Sequence, residues 1–91
     1  MTDWDIISFV NASKPRFQIL IYLNKKVSTP KELAGSINIP ISRVSSVLSE
    51  LSKKKLVVCL TPNRRKEKMY SITDNGKKIL TEIHEMTEGG G

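Results

Sequence analysis

The four residues Thr29-Pro30-Lys31-Glu32 constrain this chain more than any other segment. A helix-capping hydroxyl accepts the amide three residues on, the Glu there reaches back to the cap's own amide, and proline suits the first turn because it has no donor to lose. A helix must therefore start at Pro30. It must also stop soon, because Asn38 tolerates left-handed backbone and Ile39 is pushed toward an extended conformation by the Pro40 that follows it. The spacing predicts a short helix from Pro30 to Ile37, with Leu33, Ala34 and Ile37 inward, and then a tight turn. From Ile41 to about Lys54 helical periodicity resumes, with Val44, Val47, Leu48 and Leu51 at i, i+3, i+4 and i+7 of one face.

The other face of that helix is Ser42, Arg43, Ser45, Ser46 and Ser49. Serine is a mediocre helix former, so helix stability does not account for a face made of it. Small hydroxyls do permit close approach to another surface.

Two helices are expected upstream. Thr2, Asp3 and Asp5 read as a helix start, a hydroxyl and two carboxylates at the positive end of the dipole, with the helix running to about Asn11. Its Trp4, Ile6, Ile7, Phe9 and Val10 cover more than half the wheel, so it has two apolar faces to bury. Ser13 is expected to cap a second helix, Pro15 to Lys25, in which Ile19, Leu20 and Leu23 form the inward stripe and Phe17 and Ile21 extend it sideways. Downstream, Leu56 to Leu60 reads as a strand that turns at Thr61-Pro62-Asn63, and Met69 to Ile72 returns. The result is a hairpin tipped with Arg64, Arg65, Lys66 and Lys68. Thr73-Asp74-Asn75-Gly76 then starts a last helix with the stripe Ile79, Leu80, Ile83 and Met86, and residues 89–91 are expected to be a disordered tail.

Ninety-one residues hold one small domain, here residues 1–88, since domains run from about 50 to 250 residues. The single cysteine, Cys59, forms no internal disulfide and fits a reducing, cytoplasmic setting; with one histidine, His84, it makes no metal cage. No apolar run approaches the roughly 20 residues that span a bilayer, and the acidic start lacks a basic leader, so no membrane role is expected. Charge is unevenly distributed. Residues 14–68 hold thirteen Lys/Arg against three Glu, while residues 1–13 and 69–91 each carry a net −2. A basic middle between acidic ends points to a polyanionic partner. No Ser/His/Asp set, Gly-rich phosphate loop or paired carboxylates can be identified, so no enzyme and no cofactor are expected.

The order α-α-α-α-β-β-α, mostly helical with a small hairpin, resembles a winged helix-turn-helix domain. Thr29 to Ala34 looks like the helix before a recognition helix, and Ile39 to Ser45 like the turn and its opening. Tyr70 to Gly76 resembles the hairpin exit of transcriptional regulators of the multiple-antibiotic-resistance (MarR) and arsenical-repressor (ArsR) types. The resemblance implies sequence-specific binding of double-stranded DNA, with Ser42, Arg43, Ser45, Ser46 and Ser49 in the major groove and Arg43 foremost for guanine. It further implies Arg64, Arg65, Lys66 and Lys68 on the backbone or minor groove, and Thr29 and Lys31 at a phosphate. Two departures stand out. Pro40 replaces the usual Ser or Thr cap, and Lys55 stands where a Gly often ends the recognition helix, at a cost of about 1 kcal/mol if it turns left-handed. The fold also admits a non-specific, chromatin-like DNA binder or a protein-docking module, though the charge argues against docking. Surplus apolar surface on the first and last helices, with Phe17 and Ile21, predicts a homodimer.

Overall fold

The computed structural model describes residues 4–89, with side chains through Glu85, so the expectations for Thr2, Asp3, the Met86 side chain and residues 90–91 lie outside the described residues. The elements are α1 (Trp4–Asn11), α2 (Lys14–Lys25), α3 (Pro30–Ile37), α4 (Ile41–Lys53), β1 (Val57–Cys59), β2 (Tyr70–Ile72) and α5 (Asp74–Gly89). This is the winged arrangement, with both strands shorter than expected and α5 extending one residue into the glycine run. None of the described helices is long and apolar enough to cross a membrane.

The capping box forms as read: Thr29 Oγ1 accepts the Glu32 amide at 3.2 Å and the Thr29 amide donates to Glu32 Oε1 at 3.0 Å. Asn38 ends α3 in the left-handed region at φ 58°. Ser13 does not cap α2. It occupies the N-cap position with extended backbone, but its hydroxyl makes no capping bond. One of the two amides such a hydroxyl would accept belongs here to Pro15, which has no N–H to give.

The inward stripes meet in one core built around Ile19, Leu20, Leu33, Val44, Leu48 and Leu51, closed by Ile7 and Val10 of α1 and Ile79 and Ile83 of α5. Both apolar faces of α1 find partial cover: Ile6 and Phe9 are half-buried against the same core, whereas Trp4 stays 60% exposed.

β1 and β2 pair antiparallel with Val57 opposite Ile72 and Cys59 opposite Tyr70. A third extended piece, absent from the sequence reading, completes the sheet. The Ser28 amide donates to the Tyr70 carbonyl at 3.2 Å and the Tyr70 amide to the Ser28 carbonyl at 2.9 Å, so Ser28 is wholly buried. The hairpin is thereby tied to the residue preceding the α3 cap.

Candidate nucleic-acid interface

Pro40 offers no side chain to cap α4, and its carbonyl instead accepts the Arg43 and Val44 amides at 3.0 and 3.1 Å. With Val44, Val47, Leu48 and Leu51 buried, Ser42, Arg43, Ser45, Ser46 and Ser49 are all exposed. At about 100° per residue they do not form one row. Ser42, Ser46 and Ser49 run along the crest of α4 and continue into Lys53. Ser45 falls on one flank beside Ile41, and Arg43 falls on the other beside Glu50.

The Ser45 flank opens into a groove of about 760 Å³ whose far wall is the hairpin. Thr29, Lys31, Arg65, Lys66 and Lys68 line this groove with Ser45, so six residues singled out from the sequence share one concave surface. Arg64 is exposed on the hairpin outside it, and Ser42 and Ser49 stand on the crest above it. Two carboxylates also line the groove, Glu32 and Glu67. Glu32 is already committed: the hydrogen bond from the Thr29 amide, aided by Lys26 at 3.5 Å, holds its carboxyl below the usual range. Thr29's hydroxyl is likewise engaged, its oxygen accepting the Glu32 amide while the same hydroxyl hydrogen-bonds the Glu32 carboxylate.

The hairpin is fixed at both ends. At its open end the Leu60 amide donates to the Met69 carbonyl at 2.7 Å and the Met69 amide to Thr61 Oγ1 at 3.0 Å. At its root Thr73 Oγ1 donates to the Lys55 carbonyl at 2.6 Å and accepts the Gly76 amide at 3.1 Å, so one hydroxyl caps α5 and holds the turn after α4. Gly76 sits so close to the Leu56 carbonyl and to Ile72 Cγ1 that a Cβ would collide with both. Lys55 does adopt the left-handed conformation, at φ 61°. Tyr70, half-buried along the groove, has its phenol pushed above the ordinary 10 by burial, with the neighbouring Cys59 thiol adding to the effect.

The sequence reading missed the residue that holds α4 from the other side. Arg16 of α2, 18% exposed, donates to the Phe9 carbonyl at 2.8 Å and to Glu50 Oε2 at 2.7 Å. Its guanidinium lies 3.9 Å from the centre of the Phe9 ring, a cation–π contact, and Lys54 Nζ lies 5.4 Å from the same ring. The hydrogen bond from Arg16, with Arg43 and Lys53 nearby, lowers the Glu50 pKa against a desolvation that would raise it. No spacing rule connects residues 34 apart, so only a lone Arg in a mostly apolar helix hinted at a partner. Among the described residues, no group of three or more His, Cys, Asp or Glu side chains could hold a metal ion.

The sequence profile of winged helix-turn-helix domains matches residues 16–89. The chain belongs to the winged helix-turn-helix family. No curated protein sequence matches it. Among solved structures, this winged helix is similar to a MarR-family transcriptional regulator from Enterococcus faecalis, with TM-score 0.82 and 18% identity over 99% of this chain and 87% of that one. It is also similar to the adhesin competence repressor of Streptococcus pyogenes, with TM-score 0.71 and 22% identity over 85% and 59% of the two chains. A ZitR variant from Lactococcus lactis gives TM-score 0.73 and 20% identity over 85% and 53%. At these identities the likeness is one of fold, and the chain spans little more than half the length of the latter two proteins.

Proposed function

We propose that this chain is a sequence-specific transcription regulator that binds double-stranded DNA, with α4 in the major groove and the hairpin on the adjoining backbone or minor groove. The observation that carries this reading is the groove beside α4, which gathers Lys31, Arg65, Lys66 and Lys68 with the hydroxyls of Thr29 and Ser45. A docking module for another protein would present a neutral or acidic surface there. The names of the similar proteins, regulators of transcription, support the same reading. If Arg65 and Lys66 each hold a phosphate, replacing both by Ala lowers the slope of log affinity against log salt by about two units. An unchanged slope removes the hairpin from the interface.

A second reading has its own support. The crest of α4 carries short hydroxyls and no Arg, Asn or Gln, and its one long donor, Lys53, stands at the last position of the helix, so few side chains along it can make two-pronged contacts to bases. That favours non-specific binding. Selection of bound sequences from random duplexes decides: enrichment of one motif supports the regulator, and recovery of unselected sequence supports the non-specific binder.

The homodimer belongs to the same proposal. Trp4 is exposed on α1, and Phe17 and Ile21 of α2 with Leu80 of α5 line a mostly apolar groove of about 570 Å³. A second copy covering this surface would set two recognition helices on successive turns of one DNA face, roughly 34 Å apart. Sedimentation equilibrium at micromolar concentration tests it, and a 10.2 kDa species would refute the dimer.

A further inference from the structure

A second concave surface, of about 580 Å³, lies on the flank of α4 away from the hairpin, where the corner between α1 and α2 approaches the helix. Its polar walls include Ser13, Lys14, Arg16, Arg43, Ser46 and Glu50. The charges there do not cancel. Glu50 is engaged by Arg16 at 2.7 Å, whereas Lys14 and Arg43 are exposed and form no ion pair among the described residues. Ser13 adds a hydroxyl that makes no capping bond. Three cations against one carboxylate leave the notch net positive, and two of those cations outside any ion pair, with a donor hydroxyl beside them, make a site for an oxyanion.

We propose that this notch is a second phosphate seat, in which Lys14 and Arg43 hold the DNA strand opposite the one gripped by the hairpin groove. The assignment rests on the DNA reading above and gives α4 a contact to each strand. Ile41 and Ser45 line the hairpin groove while Arg43 and Glu50 line the notch, about half a revolution apart on the helix, with the serine crest between them. An α-helix with its side chains is about 10–12 Å across, and the major groove is about 12 Å wide with a phosphate backbone along each edge. A helix seated crest-first in that groove turns one flank toward each backbone. Arg43 is therefore a phosphate ligand rather than the guanine reader that the sequence resemblance implies. The Arg16–Glu50 pair is the notch's back wall: it sets a cation against the one carboxylate there, whose side chain stays 43% exposed, and holds Arg43's helix at a fixed distance from Lys14.

The test is affinity against salt concentration on several duplexes of about 20 base pairs, two helical turns, for the full chain and three variants. Lys14→Ala and Arg43→Ala should each lower the salt slope by about 0.9 and weaken all duplexes by the same factor, with Lys14→Arg restoring the original slope. Both residues are exposed, and equal melting temperatures will verify that the fold is intact. A Lys14→Ala slope equal to that of the unmodified chain overturns the seat. So does an Arg43→Ala variant that loses discrimination at one base position. Failure of the unmodified chain to bind any duplex would instead refute the DNA reading itself.

Discussion

The two flanks of α4 are built by different means. On the hairpin side, position is set by backbone: Ser28 pairs with Tyr70, Thr73 bonds the Lys55 carbonyl, and Gly76 lies against the Leu56 carbonyl. On the notch side, position is set by one side chain, Arg16, which joins α1, α2 and α4 through a carbonyl, an aromatic face and a carboxylate. The backbone-built flank carries the long exposed cations at the end of a lever. The flank built by Arg16 carries fewer cations close to the core. A hairpin joined to its domain by two strands of three residues each needs a root that cannot slide, whereas helices already packed on a core need only their relative rotation fixed.

The sharpest way to break this comparison is at the hairpin root. Gly76→Ala places a methyl against the Leu56 carbonyl and the Ile72 side chain, and overpacking of this kind costs about 1–3 kcal/mol. Denaturant unfolding should show that loss. A neutral outcome would mean that the root slides after all.

A smaller effect of opposite sign is expected at the junction between the two flanks. Lys55 bears the steric cost of left-handed backbone at φ 61°, so Lys55→Gly should stabilise the chain by about 0.5–1 kcal/mol, part of the relief being offset by glycine's greater freedom when unfolded. A destabilised variant would show that the lysine side chain has a role outweighing the strain.

The smallest effect separates the flanks by pH. Arg16 holds the Glu50 carboxyl below its ordinary 4.5, so the unfolded chain takes up this proton first as acid is added. The contribution is complete above about 4.5 and is lost as pH falls through the folded value. The protection factors of amides around α1 and the start of α2, taken against their intrinsic exchange rates, should fall in that window, while the hairpin root, whose contacts through Thr73 and Gly76 do not titrate, keeps its protection. Glu50→Gln should abolish the difference. Loosening of the hairpin root in parallel would contradict it, whereas the α3 cap, whose Glu32 is also held below 4.5 by the Thr29 amide, weakens in the same window on its own account.

Most of the helical framework was legible because its causes are local. The Thr29–Glu32 box, the left-handed Asn38 and the stripe Val44, Val47, Leu48, Leu51 are each decided within a few residues, and each appears in the structure as read. Ser13 departs from expectation for a local reason too: one of the two amides that could donate to a capping hydroxyl there belongs to Pro15, which has no N–H. Six of the expected interface residues share a groove because cap, helix and hairpin were each read correctly in their own segments.

What the sequence by itself determined is therefore the order of elements, the starts and stops of α3, and the polar and apolar faces of α4. These follow from hydrogen bonds and side-chain spacings that repeat every turn, which a linear string displays. Only the tertiary structure decided that Ser28 joins the sheet, that Gly76 must be glycine, and that Arg43 and Ser45 face opposite ways toward different walls. Those outcomes depend on partners brought together by burial across tens of residues, such as Arg16 with Glu50, and no local energy term records which distant group will fill the space.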